Sequence, residues 1–415
     1  MNTGIQVQTA ALLISSAIFC IVSGCSRAIP DRRRAELDSL RQTRDWFKLR
    51  DAVESGRADP HYRALVAWMF HDMDAAEKYA DEVLQRAAPG SDDANQAHYI
   101  LGDIYERWGL YRKALSELQV SRQSSGTPID GNRIALLSAI AGFPPQSVVA
   151  RSYSKVRWNA DHGIPAITAS VNGNRADFFV DTSATDCVIT QAEAERLGLR
   201  VLPAPGFSIG TASGGVDASV AVADELAVGG FRLHNVVFVV IPTVKGGPKN
   251  IAIRALGLPV LLAFQTLRWN RDGLFEIAFP AEAADARRAN LCLDSWPIVQ
   301  ADFQGVPVMA QLDSGANTTH LLPRFAKEFP HAVPAGAGKD TLLEFGASGA
   351  FQRDATTIPE VRLRIGGFDW LLKPAELMDG EIESARPWHA KIGSDLFSQA
   401  QSVTIDFRAM RLSAR

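Results

Sequence analysis

The spacing of apolar residues divides the chain into three stretches of different character. An almost unbroken apolar run extends from Ala10 to Ser23. Residues 32–145 place apolar side chains three and four positions apart among charged ones, which predicts amphipathic helices. Beyond the Pro-containing segment 142–147 the apolar runs become short and are separated by turn residues, which predicts a mostly β region. We therefore expect a helical N-terminal domain and a β-rich C-terminal part.

The helical stretch contains two segments, 61–87 and 95–122, that we interpret as helical hairpins. The breaks before them read SGRADP and AAPGSDD. The second segment resembles a tetratricopeptide repeat in the spacing of Leu101, Gly102, Tyr105, Ala114 and Leu118. In such repeats small residues let two helices approach closely. A generic helical cap or spacer is the alternative interpretation.

Turn signals in the β-rich part predict hairpins. Asn172-Gly173 stands between two apolar runs, which is the strongest short-range signal for a hairpin turn. Gly229-Gly230 and Gly366-Gly367 divide two further pairs of apolar runs in the same way. These signals favour antiparallel strands joined by tight turns.

An internal repeat indicates that the β-rich part is a duplication. The segment Asp181-Thr182-Ser183-Ala184 is matched by Asp313-Ser314-Gly315-Ala316. An Ala-Ser-Gly segment follows, its glycine 33 residues after Asp181 and 36 after Asp313. An apolar residue and glycine then follow at 76 and 80 residues, as Leu256-Gly257 and Ile392-Gly393. The conserved order predicts two lobes of about 130 residues each.

These landmarks resemble the aspartic peptidases of the retropepsin and pepsin group, over roughly residues 160–415. In that group each lobe supplies an Asp-[Ser/Thr]-Gly-[Ala/Ser] loop, a glycine-containing flap hairpin and an apolar-Gly segment behind the loop. The resemblance implies a multi-domain chain whose C-terminal part is bilobal and mostly β. The expected parts are a signal peptide at 1–25, a helical, tetratricopeptide-like domain at 26–148, a first lobe at 149–286 and a second lobe at 287–415.

The resemblance also implies a function, the hydrolysis of peptide bonds by water. Asp181 and Asp313 would be the catalytic pair, because two adjacent carboxylates share one proton and can act as acid and base. Both come from one chain, so no homodimer is needed, and neither a cofactor nor a metal is expected. The residues implied to support the pair are Thr182, Ser183, Ala184, Ser314, Gly315 and Ala316. The flaps would lie near 208–217 and 344–352 and bind a peptide or protein substrate through Gly210, Ser213, Gly214, Gly346, Ser348 and Gly349.

One residue departs from the family pattern. Ser183 occupies the position of the motif glycine in the first lobe, whereas Gly315 retains it in the second. Glycine suits this sharp turn, where backbone N–H groups come close to the carboxylate. Serine is compatible with an active site, with a retuned pair or with a decayed one. A catalytically silent module that binds peptides in the same cleft, with the helices recruiting a partner, is therefore the alternative.

The apolar run at the N-terminus is about 14 residues long, too short to span a bilayer comfortably. Val22-Ser23-Gly24-Cys25 resembles the bacterial lipobox, in which the cysteine is acylated and becomes the new N-terminus. The expected location is the cell envelope, with Cys25 anchored to the outer membrane facing the periplasm. An uncleaved anchor or an ordinary secretory signal remain open, since residues 1–25 contain no Lys or Arg.

Net charge, cysteines and one histidine bear on the possible partners, on a disulfide and on the lining of the cleft. The formal net charge is −3 without a long basic run, which argues against nucleic acid as a partner. Outside the signal the cysteines are Cys187 and Cys292, whose separation of 105 residues leaves open whether they pair. His320, seven residues after Asp313, is expected at the surface rather than in the cleft.

Overall fold

The computed structural model describes residues 31–125, 129–161, 163–211, 214–243, 252–280, 289–346, 349–380 and 386–415. The expected signal and Cys25 lie outside the described residues. Within the described ranges no helix is long and apolar enough to cross a membrane.

The N-terminal region is helical up to Ile140, as the spacing of apolar residues predicts. Its helices are α1 (Asp31–Gln42), α2 (Trp46–Glu54), α3 (Pro60–Met69), α4 (Met73–Leu84), α5 (Asp92–Arg107), α6 (Tyr111–Ser125) and α7 (Ile129–Ile140). The predicted breaks fall between α2 and α3 and between α4 and α5. At the second break Ser91 caps α5, because its hydroxyl accepts a hydrogen bond from the N–H of Ala94.

Helices α5 and α6 approach closely at Gly102. A Cβ built on Gly102 would lie 2.6 Å from Cδ2 of Leu118, which is fully buried. The absence of a side chain at Gly102 is therefore what allows Leu118 to pack against α5. A close approach of two helices at Gly102 is what the spacing of small residues in the sequence predicts.

The region after Ser147 is mostly β. The elements of the first half are β1 (Ser147–Ala150), β2 (Ser154–Asp161), β3 (Ile164–Val171), β4 (Asn174–Val180), β5 (Cys187–Thr190), α8 (Gln191–Arg196), β6 (Val201–Leu202), β7 (Ser208–Thr211), β8 (Gly214–Asp217), β9 (Ser219–Val228), β10 (Phe231–Ile241), β11 (Arg254–Leu256), α9 (Leu258–Phe264), β12 (Thr266–Asn270) and β13 (Leu274–Ile277).

The second half contains a similar set of elements. Its elements are β14 (Leu291–Asp294), β15 (Trp296–Phe303), β16 (Val306–Leu312), β17 (His320–Leu321), α10 (Pro323–Glu328), the short 3-10 helix η1 (Pro330–Ala332), β18 (Gly338–Gly346), β19 (Gly349–Ile358), β20 (Val361–Ile365), β21 (Phe368–Leu372), β22 (Ala375–Met378), β23 (Ala390–Ile392), the 3-10 helix η2 (Ser394–Gln399), β24 (Ser402–Asp406) and β25 (Arg411–Ala414).

The three predicted hairpin turns are present. Asn172 and Gly173 have φ angles of 49° and 83° between β3 and β4, the left-handed conformation that this tight turn requires. Gly229-Gly230 joins β9 to β10, and Gly366-Gly367 joins β20 to β21. The turn residues thus set the strand pairing in both lobes.

Strand pairing shows the duplication directly. In the first lobe β4 pairs in parallel with β11, β11 antiparallel with β5, and β5 in parallel with β10. In the second lobe β16, β23, β17 and β22 pair in the same order and directions. The two halves of the sequence therefore fold into the same crossed arrangement of strands.

The last strands of the two lobes join them. β12 pairs antiparallel with β24, so that Leu267 lies opposite Ile405 and Trp269 opposite Val403. The ring of Trp269 also packs against Phe397 with 5.0 Å between ring centroids. Because this sheet is common to both lobes, the loops that carry the two aspartates are fixed relative to one another.

The helical region contacts both lobes. On the second lobe, the indole N–H of Trp46 donates a hydrogen bond of 2.6 Å to Asp294, and an apolar cluster joins α1–α3 to Met309 and Trp388. On the first lobe, the side-chain amide of Asn132 exchanges two hydrogen bonds with the backbone of Ser208 in β7. The helices are thus docked on the β-rich part at two places.

Cys187 and Cys292 do not form a disulfide in this structure. Cys187 and Cys292 are both free and fully buried, in different apolar clusters. Burial raises the pKa of the Cys187 thiol to about 12 and that of Cys292 well above its usual value. Both thiols act as small apolar side chains in these cores.

Candidate active site

The two predicted aspartates end corresponding strands. Asp181 follows β4, and its N–H donates to the carbonyl of Leu256 at 3.1 Å. Asp313 follows β16, and its N–H donates to the carbonyl of Ile392 at 2.8 Å. Each loop is therefore held by the apolar-Gly segment of its own lobe.

The two loops are joined by four reciprocal hydrogen bonds. The hydroxyl of Thr182 donates to the carbonyl of Leu312 at 2.9 Å and accepts from the N–H of Ser314 at 3.0 Å. The hydroxyl of Ser314 donates to the carbonyl of Val180 at 2.6 Å and accepts from the N–H of Thr182 at 3.0 Å. Both side chains are fully buried, so these bonds are shielded from water.

The glycines of the apolar-Gly segments permit a close crossing behind the loops. A Cβ on Gly257 would lie 2.2 Å from the carbonyl oxygen of Asp186, and one on Gly393 would lie 2.6 Å from the backbone of Thr318. The next residue in each lobe then donates its N–H to the motif alanine, Leu258 to Ala184 and Ser394 to Ala316, both at 2.8 Å. Glycine is required here by space rather than by an unusual φ angle.

Asp181 receives three hydrogen bonds on one oxygen. Its Oδ1 accepts from the N–H of Ser183 at 2.8 Å, from the Ser183 hydroxyl at 2.9 Å and from the N–H of Ala184 at 3.2 Å. Burial and the charge of Asp313 nevertheless raise the pKa of Asp181 to about 6, against these donors. Asp181 can therefore retain a proton in weakly acidic solution.

The geometry explains why the two lobes differ at the motif glycine. A Cβ on Gly315 would lie 2.4 Å from Cγ of Asp181, so only glycine lets the two loops meet at this distance. Ser183 in the first lobe keeps its backbone N–H bond to Asp181 and adds a hydroxyl donor. The departure from the family pattern thus adds a hydrogen bond and does not displace the loop.

Asp313 has a different environment from Asp181. Its Oδ2 lies 3.4 Å from the ammonium of Lys391, and the side chains of Lys391 and Asp313 are 23% and 11% exposed. Its Oδ1 is buried and has no hydrogen-bond partner among the described residues. One carboxylate therefore has three neutral donors, whereas the other has a cation and an unsatisfied acceptor.

The predicted flap residues lie on two hairpins where the structure describes them. Gly210 of β7 lies opposite Gly215 of β8, next to the pair of Thr211 and Gly214. Gly346 and Gly349 form the last pair of the longer hairpin of β18 and β19. Ser213 and Ser348 lie outside the described residues. Hairpins thus occupy both predicted positions.

The expectation that His320 lies at the surface is wrong. Its side chain is 5% exposed, because β17 lies between β22 and β23 in the middle of the second sheet. His320 is the register partner of Lys391, and its Nδ1 is 3.7 Å from a carboxylate oxygen of Glu376. The position of His320 directly before an apolar pair was the signal for a buried strand.

Sequence reasoning also missed three residues around the loops. In the second lobe the hydroxyl of Thr319 accepts from the N–H of Gly393 at 2.9 Å and donates to Asp395 at 2.6 Å. In the first lobe Cys187 stands at the corresponding position, and its sulfur accepts from the N–H of Gly257 at 3.4 Å. Lys391 is the third. Alignment of the two repeats would have found it, because Ala255 occupies its place in the first lobe.

A cavity of ≈ 630 Å³ separates the helices from the first lobe. Thr185 and Asp186, which continue the Asp181 loop, line it together with Asn132 and Arg133 of α7. Burial raises the pKa of Asp186, against the Thr185 hydroxyl and the charge of Arg133. The helical region therefore borders the segment that follows the candidate active site.

Comparison with known proteins identifies the family that the first lobe resembles. A family model described as aspartyl protease matches residues 167–260, a segment that includes Asp181 and Gly257. No protein of curated function matches the chain at a significant level. The aspartic-peptidase resemblance is thus confirmed for this segment.

Three solved structures are among those that match. A retropepsin-like aspartic protease from Rickettsia conorii is 23% identical, with a TM-score of 0.22 over 32% of this chain and 95% of that chain. The EIAV protease complexed with the inhibitor HBY-793 is 22% identical, with a TM-score of 0.20 over 24% and 86%. An aspartic proteinase from Irpex lacteus is 10% identical, with a TM-score of 0.40 over 63% and 97%.

The bonds between the loops predict the effect of Ser314→Ala. The change leaves the carbonyl of Val180 and the N–H of Thr182 buried without these partners, which should lower the free energy of unfolding by about 2–4 kcal/mol. Ser398→Ala is the control, because its hydroxyl bond is exposed. Urea unfolding followed by tryptophan fluorescence measures both. Equal stability of the two variants would contradict the role assigned to Ser314.

Proposed function

We propose that this protein is an aspartic endopeptidase whose catalytic pair, Asp181 and Asp313, is assembled within one chain. The observation that carries the proposal is the reciprocal bonding of Thr182 and Ser314, which joins the two aspartate loops. The family match over residues 167–260 supports a peptidase, and so does the raised pKa of Asp181. A peptide or protein is the proposed substrate, bound beneath the hairpins of β7–β8 and β18–β19.

The proposed reaction needs one proton on the pair. Ionised Asp313 accepts a proton from water as the water oxygen adds to the carbonyl carbon of the peptide bond. Asp181 gives its proton to the carbonyl oxygen, which produces a gem-diol. Asp313 then passes its proton to the leaving amine, Asp181 recovers one from the diol, and the C–N bond breaks. The products are a carboxylic acid and an amine, and the pair again holds one proton.

The unsatisfied oxygen of Asp313 supports this arrangement. A buried acceptor without a donor is rare, and such an atom normally has a water or another polar partner. Oδ1 of Asp313 is in this state among the described residues, beside a loop whose carboxyl group retains a proton up to a pH of about 6. A shared proton or the nucleophilic water would satisfy it.

For the remainder of the chain we propose two further roles. The close contact of Gly102 with Leu118 supports a tetratricopeptide-like helical region, and its cavity against the first lobe offers a place for a protein partner. The segment Val22–Cys25 supports export, lipid attachment at Cys25 and a site on the outer membrane facing the periplasm. This location rests on sequence alone.

The catalytic pair is tested by Asp313→Asn. An amide cannot accept the proton of water, so hydrolysis of an unfolded protein mixture should fall by about 10²–10⁴-fold. Asp369→Asn is the control, because Asp369 is 69% exposed on β21. Mass spectrometry of the peptides released between acidic and neutral pH measures the effect. Undiminished cleavage by Asp313→Asn would refute the assignment. Peptide binding without cleavage by the wild type would favour the silent binding module.

The role of Ser183 is tested by the pH dependence of the rate. The wild-type rate should fall as pH rises through about 6, where Asp181 loses its proton. Ser183→Gly removes a donor to the ionised carboxylate, which raises the pKa of Asp181 further and should move this fall upward by about half a unit. Ser183→Ala, which keeps Cβ, should give the same shift. A shift in the glycine variant alone would show that backbone geometry is responsible. If the rate of both variants fell at the same pH as that of the wild type, the role of the Ser183 hydroxyl would be contradicted.

The proposed lipid anchor is tested by Cys25→Ala. The change removes the thiol that would be acylated, so the variant should either leave the membrane fraction or retain residues 1–24. Cys20→Ala is the matched control, since it lies in the same apolar run outside the lipobox-like segment. Cell fractionation and intact-mass spectrometry measure the outcome. An unchanged mass and membrane fraction in the Cys25 variant would contradict lipid attachment.

A further inference from the structure

Lys391 is a charged residue of the candidate site that has no charged counterpart in the other lobe. It belongs to β23, two residues before Gly393, whereas Ala255 occupies this place before Gly257 in β11. The register of the two lobes is the same here, because Ala255 lies opposite Val188 and Lys391 opposite His320. The second lobe therefore has a cation beside its aspartate, whereas the first lobe has an alanine at the equivalent position.

The contact joins Lys391 to one member of the pair. Its Nζ lies 3.4 Å from Oδ2 of Asp313, at a site where both side chains are largely shielded from water. A cation at this distance favours the ionised form of a carboxylate. The corresponding neighbours of Asp181 are neutral, namely two N–H groups and the Ser183 hydroxyl. These three donors favour the ionised form of Asp181, yet burial and the charge of Asp313 raise its pKa to about 6, so Asp181 is the member that retains the proton.

The other ionisable groups around Lys391 do not replace this charge. His320 in β17 faces it in the register, and the imidazole of His320 lies 3.7 Å from the carboxylate of Glu376. Gln311 in β16 faces it from the other side and accepts a hydrogen bond from Arg386 at 3.0 Å. The guanidinium of Arg386 is thus engaged by a neutral amide next to Lys391.

We propose that Lys391 is a positioning residue that breaks the symmetry of the pair, so that Asp313 is the ionised base and Asp181 the protonated acid. This inference rests on the proposed function, and it adds which aspartate holds the proton. Lys391 acts by its charge on Asp313. Because Lys391 stabilises the anionic forms of the pair, it also shifts the pH range of activity to lower pH.

The first test compares pH–rate profiles of the wild type, Lys391→Met and Lys391→Arg on one peptide substrate. Loss of the charge in Lys391→Met should move both limbs of the profile upward by about one pH unit or more, since a cation within 4–6 Å shifts such equilibria by about 1–3 units. Lys391→Arg should keep the wild-type limbs. Lys373→Met is the matched control and should leave them in place, because the ammonium of Lys373 pairs with Glu360 at an exposed site.

The second test needs no activity. The melting temperature of Lys391→Met relative to the wild type should be lower at pH 7, and this difference should shrink as the solution is acidified, because protonation of a carboxylate removes its ion pair. The inference would be overturned if Lys391→Met had the same pH–rate limbs as the wild type and if the difference between their melting temperatures did not change with pH. If the wild type cleaves and Lys391→Met keeps its limbs, the peptidase stands and the role of Lys391 falls. If the wild type does not cleave but the melting difference follows pH, the ion pair stands and the peptidase falls.

Discussion

The hydrogen bonds between Thr182 and Ser314 are the constraint on which the candidate site depends. Each hydroxyl satisfies one N–H and one carbonyl of the opposite loop, and neither hydroxyl has access to water. Breaking them would leave four backbone groups buried without these partners, so the loops have one stable separation. The pairing of β12 with β24, which joins the two lobes, also supports this separation. Such a frame is suited to hold two loops that each carry a carboxyl group.

Within this symmetric frame the two aspartates are not equivalent. Gly315 must be glycine because the carboxyl group of Asp181 lies against its backbone, whereas the first lobe accepts Ser183 at the same position. The second lobe supplies a cation to Asp313 through Lys391. Gene duplication gives two similar halves, and these three residues then differentiate the chemistry of the two carboxylates. The helices add a further asymmetry, because Asn132 binds the hairpin strand of the first lobe.

Much of the fold could be predicted from the sequence, because local signals and the repeat agreed. Asn172-Gly173 specified a tight turn, because both residues readily adopt the left-handed backbone conformation that it requires. Gly257 and Gly393, at equivalent positions of the two repeats, marked where the chain crosses behind the aspartate loops. What could not be predicted depends on contacts between distant segments. The burial of His320 follows from two neighbouring strands that come much later in the chain, β22 and β23. The ion pair of Lys391 and the docking of α7 on β7 likewise join residues more than 70 positions apart.

The coupling of Asp181 to Asp313 is measured most directly by titrating the Asp181 carboxyl carbon by NMR, in protein labelled with 13C at the aspartate side chains. The resonance is assigned by its loss in Asp181→Asn. A midpoint near pH 6 is expected, because burial and the charge of Asp313 disfavour the ionised form. The midpoint should fall in Asp313→Asn, where that charge is absent. A midpoint at the ordinary aspartate value of about 4, unchanged by Asp313→Asn, would contradict a coupled pair.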